Sequence, residues 1–256
     1  MVTTRLLQFT DPHLYGAADG KLRGVVTYPA LLAALDHARV HHWPCDAILA
    51  TGDLVQDDPT GYARFRDVFA PLGVPVHCIA GNHDEPEAMV RELDRSPFQL
   101  GGVARWQGWI AVMLDSYLAG KAQGRIDAAN LALLDEALRA NPRAHALVCL
   151  HHHPVQMHSR WLDQVGLENA DEFFAVLDAH RNVRAVLWGH VHQHFEGERN
   201  GVRLMSTPST CAQFLPRSDG FAIDRRPPGY RWLELRDDGT LATDVVWVPD
   251  FPGKPA

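Results

Sequence analysis

Short apolar runs alternate along the chain with longer stretches in which apolar positions recur every three or four residues. Arg5 to Thr10 reads as a strand, and Tyr28 to His41 as a helix with Leu31, Leu32, Leu35 and Ala38 on one face. Ala47 to Thr51 is the next strand. A helix from about Pro59 to Leu72 carries Tyr62, Phe65 and Phe69 at helical spacing, and Val74 to Ala80 is a further strand. Trp109 to Ser116 is another, and Asp127 supplies an N-cap for a helix running to about Ala140. His145 to Leu150 reads as a buried strand, Asn169 to His180 as a helix and Val183 to Trp188 as a strand. Beyond this point the pattern changes. Asn200-Gly201 and Asp238-Gly239 each sit between apolar segments and predict hairpin turns.

Strands alternating with helices imply βαβ units with helices covering a sheet, and the hairpin-rich end adds antiparallel strands. The expectation is an α/β protein: a four-layer α/β/β/α sandwich of two mixed sheets flanked by helices. No repeat, low-complexity tract or linker divides the chain, so residues 1–256 are expected to form a single domain, with Pro249 to Ala256 frayed.

The bulk numbers agree. A chain of 256 residues, 46% hydrophobic and 21% charged, suits one globular domain. A strand-like run begins almost at the first residue, leaving no room for a charged segment, an apolar segment and a cleavage site. Apolar stretches such as Ala146 to Leu150 fall far short of the ~18 residues of a membrane span. The chain therefore reads as soluble and cytoplasmic, with no membrane partner. Cys45, Cys78, Cys149 and Cys211 form no CxxC pair, which argues against a zinc ribbon or a disulfide framework. Cys78 and Cys149 lie in apolar runs and read as buried thiols. The net charge of −7 argues against nucleic acid as a partner. It also disfavours an anionic phosphate substrate, unless bound cations reverse the local sign. Fifteen histidines is a high number, and their placement matters most.

Five polar clusters each follow an apolar strand directly. They are Asp11-Pro12-His13, Gly52-Asp53, Gly81-Asn82-His83-Asp84, His151-His152-His153-Pro154 and Gly189-His190-Val191-His192. In α/β folds ligands bind at the carboxyl ends of the strands, where five such loops can converge. In extended backbone residues i and i+2 point to one side, so Asp11 and His13 can reach one ion together, as can His190 and His192. The glycines at 52, 81 and 189 allow a tight turn before the next side chain. The donors are carboxylate, imidazole and amide without thiolate, a set that suits Fe, Mn, Zn or Co better than Ca²⁺ or Cu(I). Seven ligands with one shared carboxylate would give each of two ions four protein atoms, and two ions favour a phosphate.

The blocks D-x-H, G-D, G-N-H-D, H-H-P and G-H-x-H, in this order, resemble the calcineurin-like metallophosphoesterase superfamily. They span residues 11 to 192. The resemblance implies that Asp11, His13, Asp53 and His192 hold one ion, and that Asp53, Asn82, His151 and His190 hold the other. It implies that His83 is the catalytic histidine facing the substrate phosphate, with Asn82 beside it in substrate binding. The proline of Asp11-Pro12-His13 fills a variable position. His152 remains the rival to His151, because the end of the preceding strand decides between them.

Each motif alone has an ordinary explanation, since Gly, Asn and Asp favour turns. Five in order, each at a strand end, outweigh that reading. His153 and His194 are expected beside the ligands or at the surface, and His37, His41, His42, His145 and His180 at the surface. His77 reads as a hydrogen-bonded core residue. Asp84 either orients the His83 ring or caps the turn. Trp161, Phe173 and Phe174 read as core.

The stretches Trp161-Leu162-Asp163-Gln164, Ser206 to Cys211 with Gln213-Phe214, and Pro228 to Leu235 extend the likeness to nearly the whole chain. There they resemble the bacterial class III cyclic AMP phosphodiesterases of the CpdA type. That resemblance implies hydrolysis of 3′,5′-cyclic AMP, a small nucleotide substrate, to 5′-AMP, with two transition-metal ions (Fe, Mn or Zn) activating water. His83 would protonate the departing sugar oxygen. Two alternatives stand beside it: a metallophosphoesterase acting on glycerophosphodiesters or a broad range of esters, and an inactive protein-binding scaffold of the same fold. The scaffold reading is disfavoured by the complete motif set.

Overall fold

The computed structural model describes residues 2–251. Two six-stranded sheets stack face to face. The first runs, in spatial order, Leu241–Trp247, Gly229–Arg236, Thr3–Phe9, Ala47–Thr51, Val76–Ile79 and Phe98–Leu100. The second runs Phe195–Arg199, Val202–Ser206, Val183–Trp188, His145–Cys149, Trp109–Met113 and Gly102–Trp106. The central strands pair in parallel in each sheet. Antiparallel pairs join Thr3–Phe9, Gly229–Arg236 and Leu241–Trp247 in the first sheet, and close both edges of the second, at Phe195–Arg199 and Gly102–Trp106. Both sheets are therefore mixed.

The two-residue period of each central strand divides its side chains between two apolar layers. Leu6, Leu49, Ile79, Trp109, Leu147 and Leu187 meet between the sheets. Their neighbours Leu7, Phe9, Ile48 and Ala50 turn outward, against helices Thr27–His41, Gly61–Phe69 and Pro86–Leu93. On the far side Val148 and Val186 meet Leu134, Leu138, Phe173 and Leu177 from helices Ala128–Ala140 and Ala170–Asp178. Burial on both faces explains why these strands read as unbroken apolar runs. The result is the expected helix, sheet, sheet, helix order. No helix among the described residues is long and apolar enough to cross a membrane.

Expected elements shift by a few residues. The helix foreseen from Pro59 to Leu72 is α-helical only over Gly61–Phe69 and tightens into a 3₁₀ turn at Ala70–Leu72. Asp127 caps its helix, its carboxylate accepting from Asn130 N at 2.8 Å. Asn200 and Gly201 both have positive φ (52° and 79°), as a two-residue hairpin turn requires. At Asp238-Gly239 only the glycine is left-handed (φ 87°), and the connection is longer. Of the tail expected to fray, Pro252 to Ala256 lie outside the described residues. Helix Pro86–Leu93 and the strands Phe98–Leu100 and Gly102–Trp106 were not foreseen. They are short, and the helix buries only Ala88, Met89 and Leu93, too few positions to set up a period.

Candidate metal centre

All five polar clusters follow parallel strands, so both sheets deliver them to one edge. The backbone there departs from extended geometry. Asp11, His13, Asp53, His190 and His192 have φ between 46° and 66°. Left-handed conformation is uncommon outside glycine and costs on the order of 1–3 kcal/mol per residue, and it concentrates at functional sites. The same-side argument from extended backbone therefore fails at both i, i+2 pairs. Asp11 and His13 do share a cluster, but His190 and His192 separate. The donor atoms of Asp11, His13, Asp53 and His192 lie within 4.8 Å of one another, all buried. His190 falls with His151 and His152 in a second group.

Asp53 lies between the two groups. Its Oδ2 is 3.7 Å from His13 Nε2 and 3.4 Å from His151 Nε2, while its Oδ1 accepts from His83 N at 2.9 Å. Around His151 Nε2, Asn82 Oδ1 and His190 Nδ1 each stand at 3.3 Å. In the first group His13 Nε2 and His192 Nε2 are 3.0 Å apart, and His192 Nε2 is 3.4 Å from Asp11 Oδ1.

Backbone carbonyls fix two of the tautomers. His192 Nδ1–H donates to the Ala212 carbonyl at 2.7 Å, and His151 Nδ1–H to the Thr51 carbonyl at 2.8 Å. A neutral ring so held turns the lone pair of its Nε2 toward the carboxylates of Asp11 and Asp53. Lone pairs facing carboxylates repel unless a proton or a cation stands between them. Burial pushes His13 down to about 3 despite the neighbouring Asp53, so the His13 ring is neutral near pH 7. Burial and neighbouring imidazoles likewise hold His152 and His190 well below their usual value. Burial also opposes charge on His151, yet Asp53 outweighs it and raises the group to about 9. Burial raises the Asp53 carboxyl, but His151 and His13 hold it well below the usual range. Neutral His13 and His190 near the ionised Asp53 carboxylate fit metal ions, as does His151, where the Asp53 charge holds a proton that a cation would replace, and the thiolate-free donor set fits transition metals.

The glycines act differently from expectation. Only Gly52 turns through positive φ, at 95°. At Gly81 the constraint is space, since a Cβ there would lie 2.3 Å from Asp53 Oδ1 and 2.7 Å from His151 Cε1.

Asp84 does not orient His83. Its carboxylate accepts from Gly81 N (2.8 Å), Leu54 N (3.1 Å), Val55 N (3.3 Å) and the Tyr62 hydroxyl (2.9 Å), tying the Asp53 and Asn82 loops together. Gln56 Nε2, which donates to Asp57 Oδ2 at 2.6 Å, and Asp57 both flank His83: the amide nitrogen lies 2.9 Å, and each Asp57 carboxylate oxygen 3.1 Å, from His83 Nδ1. A proton held there leaves Nε2 free, and Asn82 and His83 are both half-buried at the mouth of the site.

Of the three adjacent histidines, only His151 stands at these distances from both Asp53 and Asn82. His152 Nδ1 pairs with Ser116 Oγ at 2.8 Å, and His153 is buried with its ring stacked on His190 at 5.5 Å. His194 is exposed beside Glu196. His77 is buried against Trp106, without the hydrogen bond foreseen for it among the described side chains. His37, His42, His145 and His180 are half-buried rather than exposed, and His37 pairs with the Tyr230 hydroxyl at 3.0 Å. Phe173 and Phe174 are core, and Trp161 is half-buried, packed against that core and against other aromatic rings. All four cysteines are buried and free.

Supporting groups went unforeseen. Thr10 donates to Asp11 Oδ2 at 2.6 Å, and Asp11 also receives the amide of His190 at 3.0 Å. Ser209 Oγ donates to the Asp11 carbonyl at 2.6 Å. Thr10 precedes a ligand in every reading of the sequence, but nothing in the pattern marks a hydroxyl as its partner.

The family model for calcineurin-like phosphoesterases matches residues 4–194. A curated protein from Pseudomonas aeruginosa, named 3′,5′-cyclic adenosine monophosphate phosphodiesterase CpdA, is 40% identical over 248 residues, covering 96% of this chain and 90% of its own. A protein of the same name from Haemophilus influenzae is 41% identical over 243 residues, covering 94% and 89%. Among solved structures, a purple acid phosphatase from yellow lupin seeds superposes with a TM-score of 0.71 at 14% identity, over all of this chain and 53% of its own. That likeness concerns the fold alone. With a family match over most of its length and full-length relatives near 40% identity, the chain belongs to the calcineurin-like phosphoesterase family.

Proposed function

We propose that the protein hydrolyses 3′,5′-cyclic AMP to 5′-AMP at a centre that would hold two transition-metal ions, with Asp53 contributing to both. Asp11, His13, Asp53 and His192 would hold one ion, and Asp53, Asn82, His151 and His190 the other. The observation that carries the reading is the position of Asp53 Oδ2, between imidazole nitrogens of both clusters. The names of the bacterial relatives support the substrate, and those relatives align with almost the whole chain.

Two ions so held, when bound, acidify water and offset charge on the phosphoryl oxygens. The chain's own residues do the rest. Asn82 and His83 meet the phosphate from the half-buried mouth. His83, as an imidazolium with Nδ1–H tied to Asp57, presents Nε2–H and delivers that proton to the departing sugar oxygen, leaving the neutral ring. Thr10, the His190 amide and the Ala212 carbonyl fix the rotamers and tautomers of the ligands, the usual role of partners behind a metal site. Four buried free thiols support a reducing compartment, the cytoplasm.

Purified protein supplied with Mn²⁺ or Fe²⁺ should convert cyclic AMP to 5′-AMP without releasing 3′-AMP. Chelation should abolish turnover. Brisk hydrolysis of bis-(p-nitrophenyl) phosphate with cyclic AMP left untouched would overturn the substrate and leave the family assignment standing.

A further inference from the structure

Two loop segments, 155–165 and 206–228, supply none of the ligands of the metal centre, although Ser209 and the Ala212 carbonyl of the second brace Asp11 and His192. The two segments are joined to each other. Arg160 pairs with Asp219 at 2.8 Å, and Ser218 N donates to Ser159 Oγ at 3.1 Å. Between them three rings meet edge to face. Trp161, Phe214 and Phe221 have centroids 5.2–5.3 Å apart and interplanar angles of 68–75°. Phe214 connects this cluster to the metal centre, lying flat on the His192 ring at 4.0 Å and 6°.

The cluster is not a sealed core. Phe221 is 43% exposed, with Leu215 at 43% and Ile223 at 41% beside it in sequence. Phe221 is the one aromatic residue among the exposed large hydrophobics of the described residues. From a third segment, the short hairpin Lys21–Val26, the guanidinium of Arg23 covers Phe221 at 4.5 Å. Arg23 is exposed and has no carboxylate partner among the described residues. A planar aromatic face, a planar cation over it and a phosphate-binding centre two ring contacts away match a nucleotide: ribose spans the gap and the base lies flat.

We propose that Phe221 and Arg23 form the base-recognition site for the substrate, with Phe214 and Trp161 as its rigid support. The purine stacks on the face of Phe221 that Arg23 now covers. The guanidinium moves back to stack on the outer face of the base. Selectivity for a cyclic purine nucleotide over a simple diester resides there, and the metal centre activates either. This inference rests on the cyclic nucleotide reading above, and its test separates the two.

Wild type, Phe221→Ala, Phe221→Trp and Arg23→Ala are each loaded with Mn²⁺ and assayed on cyclic AMP, cyclic CMP and bis-(p-nitrophenyl) phosphate. Phe221→Ala should raise KM for cyclic AMP roughly ten-fold or more, in the range that loss of a base-stacking ring gives. Its kcat, its bound metal and its kcat/KM on the artificial diester should stay within about two-fold of wild type. Phe221→Trp should restore KM, Arg23→Ala should show a smaller rise, and the preference for cyclic AMP over cyclic CMP should shrink in Phe221→Ala. An equal loss on the artificial diester would assign Phe221 a structural role and overturn the proposal, as would an unchanged KM for cyclic AMP. An inert wild type on cyclic AMP would overturn the function itself, whereas an active wild type with an unaffected Phe221→Ala overturns the base site alone.

Discussion

The floor of the site and its outer wall are built on opposite principles. The floor consists of ligands, most of them buried, at the ends of parallel strands, several held in left-handed backbone, with Asp11 braced by a hydroxyl and an amide and His151 and His192 by carbonyls. The wall consists of loops whose rings are partly exposed and whose ties, such as Arg160 to Asp219, are surface ion pairs worth little individually. A rigid floor can hold charge in fixed geometry for any phosphoester, and a softer wall can choose among them. Chemistry and selectivity should therefore respond separately to substitution.

The largest effect should come from the floor. Asp53→Ala removes the carboxylate that stands between both imidazole groups. Loss of a partner behind a ligand typically costs 10–100-fold in metal affinity or activity, so loss of this ligand should exceed about 100-fold. Metal analysis should show at least one equivalent missing. Full activity of this variant, or of metal-free protein, would break the two-ion reading. Substitution of the exposed wall ring Phe221, which touches no ligand, should leave the metal content unchanged.

A smaller effect divides the mouth from the floor. His83→Ala should retain both metals and lose about 10²–10⁴-fold on cyclic AMP, the range for a general acid. Asp57→Asn should lose less, because the ring remains and only its orientation through Nδ1 weakens. Both losses should shrink for p-nitrophenolate, which leaves without a proton. Equal losses on poor and good leaving groups would move His83 from proton transfer to electrostatic stabilisation. Loss of metal from His83→Ala would make it a ligand.

The same division governs what could be read in the sequence. The floor was legible because burial on both faces makes each central strand an unbroken apolar run, so the polar residue that ends it stands out. Asp11, Asp53, Asn82, His151 and His190 were all found that way. Their backbone geometry was not legible, since left-handed Asp and His leave no mark on composition. The extended-strand argument consequently put His190 and His192 on one ion, where the structure separates them. Asp57 and Thr10 were hidden because their roles depend on loops meeting across distant positions. Trp161 packs against the core as its sequence suggests, but its contacts with Phe214 and Phe221 leave no mark on the pattern, because only the fold brings those rings to it.

The least effect should appear where wall and sandwich join. Both ends of the 206–231 excursion meet at one buried guanidinium. Arg231 donates to the Ser206 carbonyl at 3.0 Å and to Thr207 Oγ1 at 3.1 Å, and it pairs with Glu196 at 2.9 Å. Thr207 in turn donates to Gln8 Oε1, in the strand that leads to Asp11. Partial burial pushes the Glu196 carboxyl up, but the neighbouring His194 ring, the charge of Arg231 and hydrogen bonds from Arg203 and Arg231 outweigh it and bring the group down to about 2. A carboxyl depressed on folding adds stability above its unfolded value, near 4.5, and loses it as pH falls toward 2. Glu196 is 37% exposed, so after solvent screening the contribution should be about 1 kcal/mol. Glu196→Gln should therefore melt a few degrees below wild type at pH 7, and the gap should close as pH falls from about 4.5 toward 2. Metal content and turnover of the artificial diester should be unaffected at pH 7. A melting gap independent of pH would assign the loss to packing instead of charge. A loss of bound metal would show that strain at this junction reaches the floor through Thr207 and Gln8, and the separation of wall from floor would then fail.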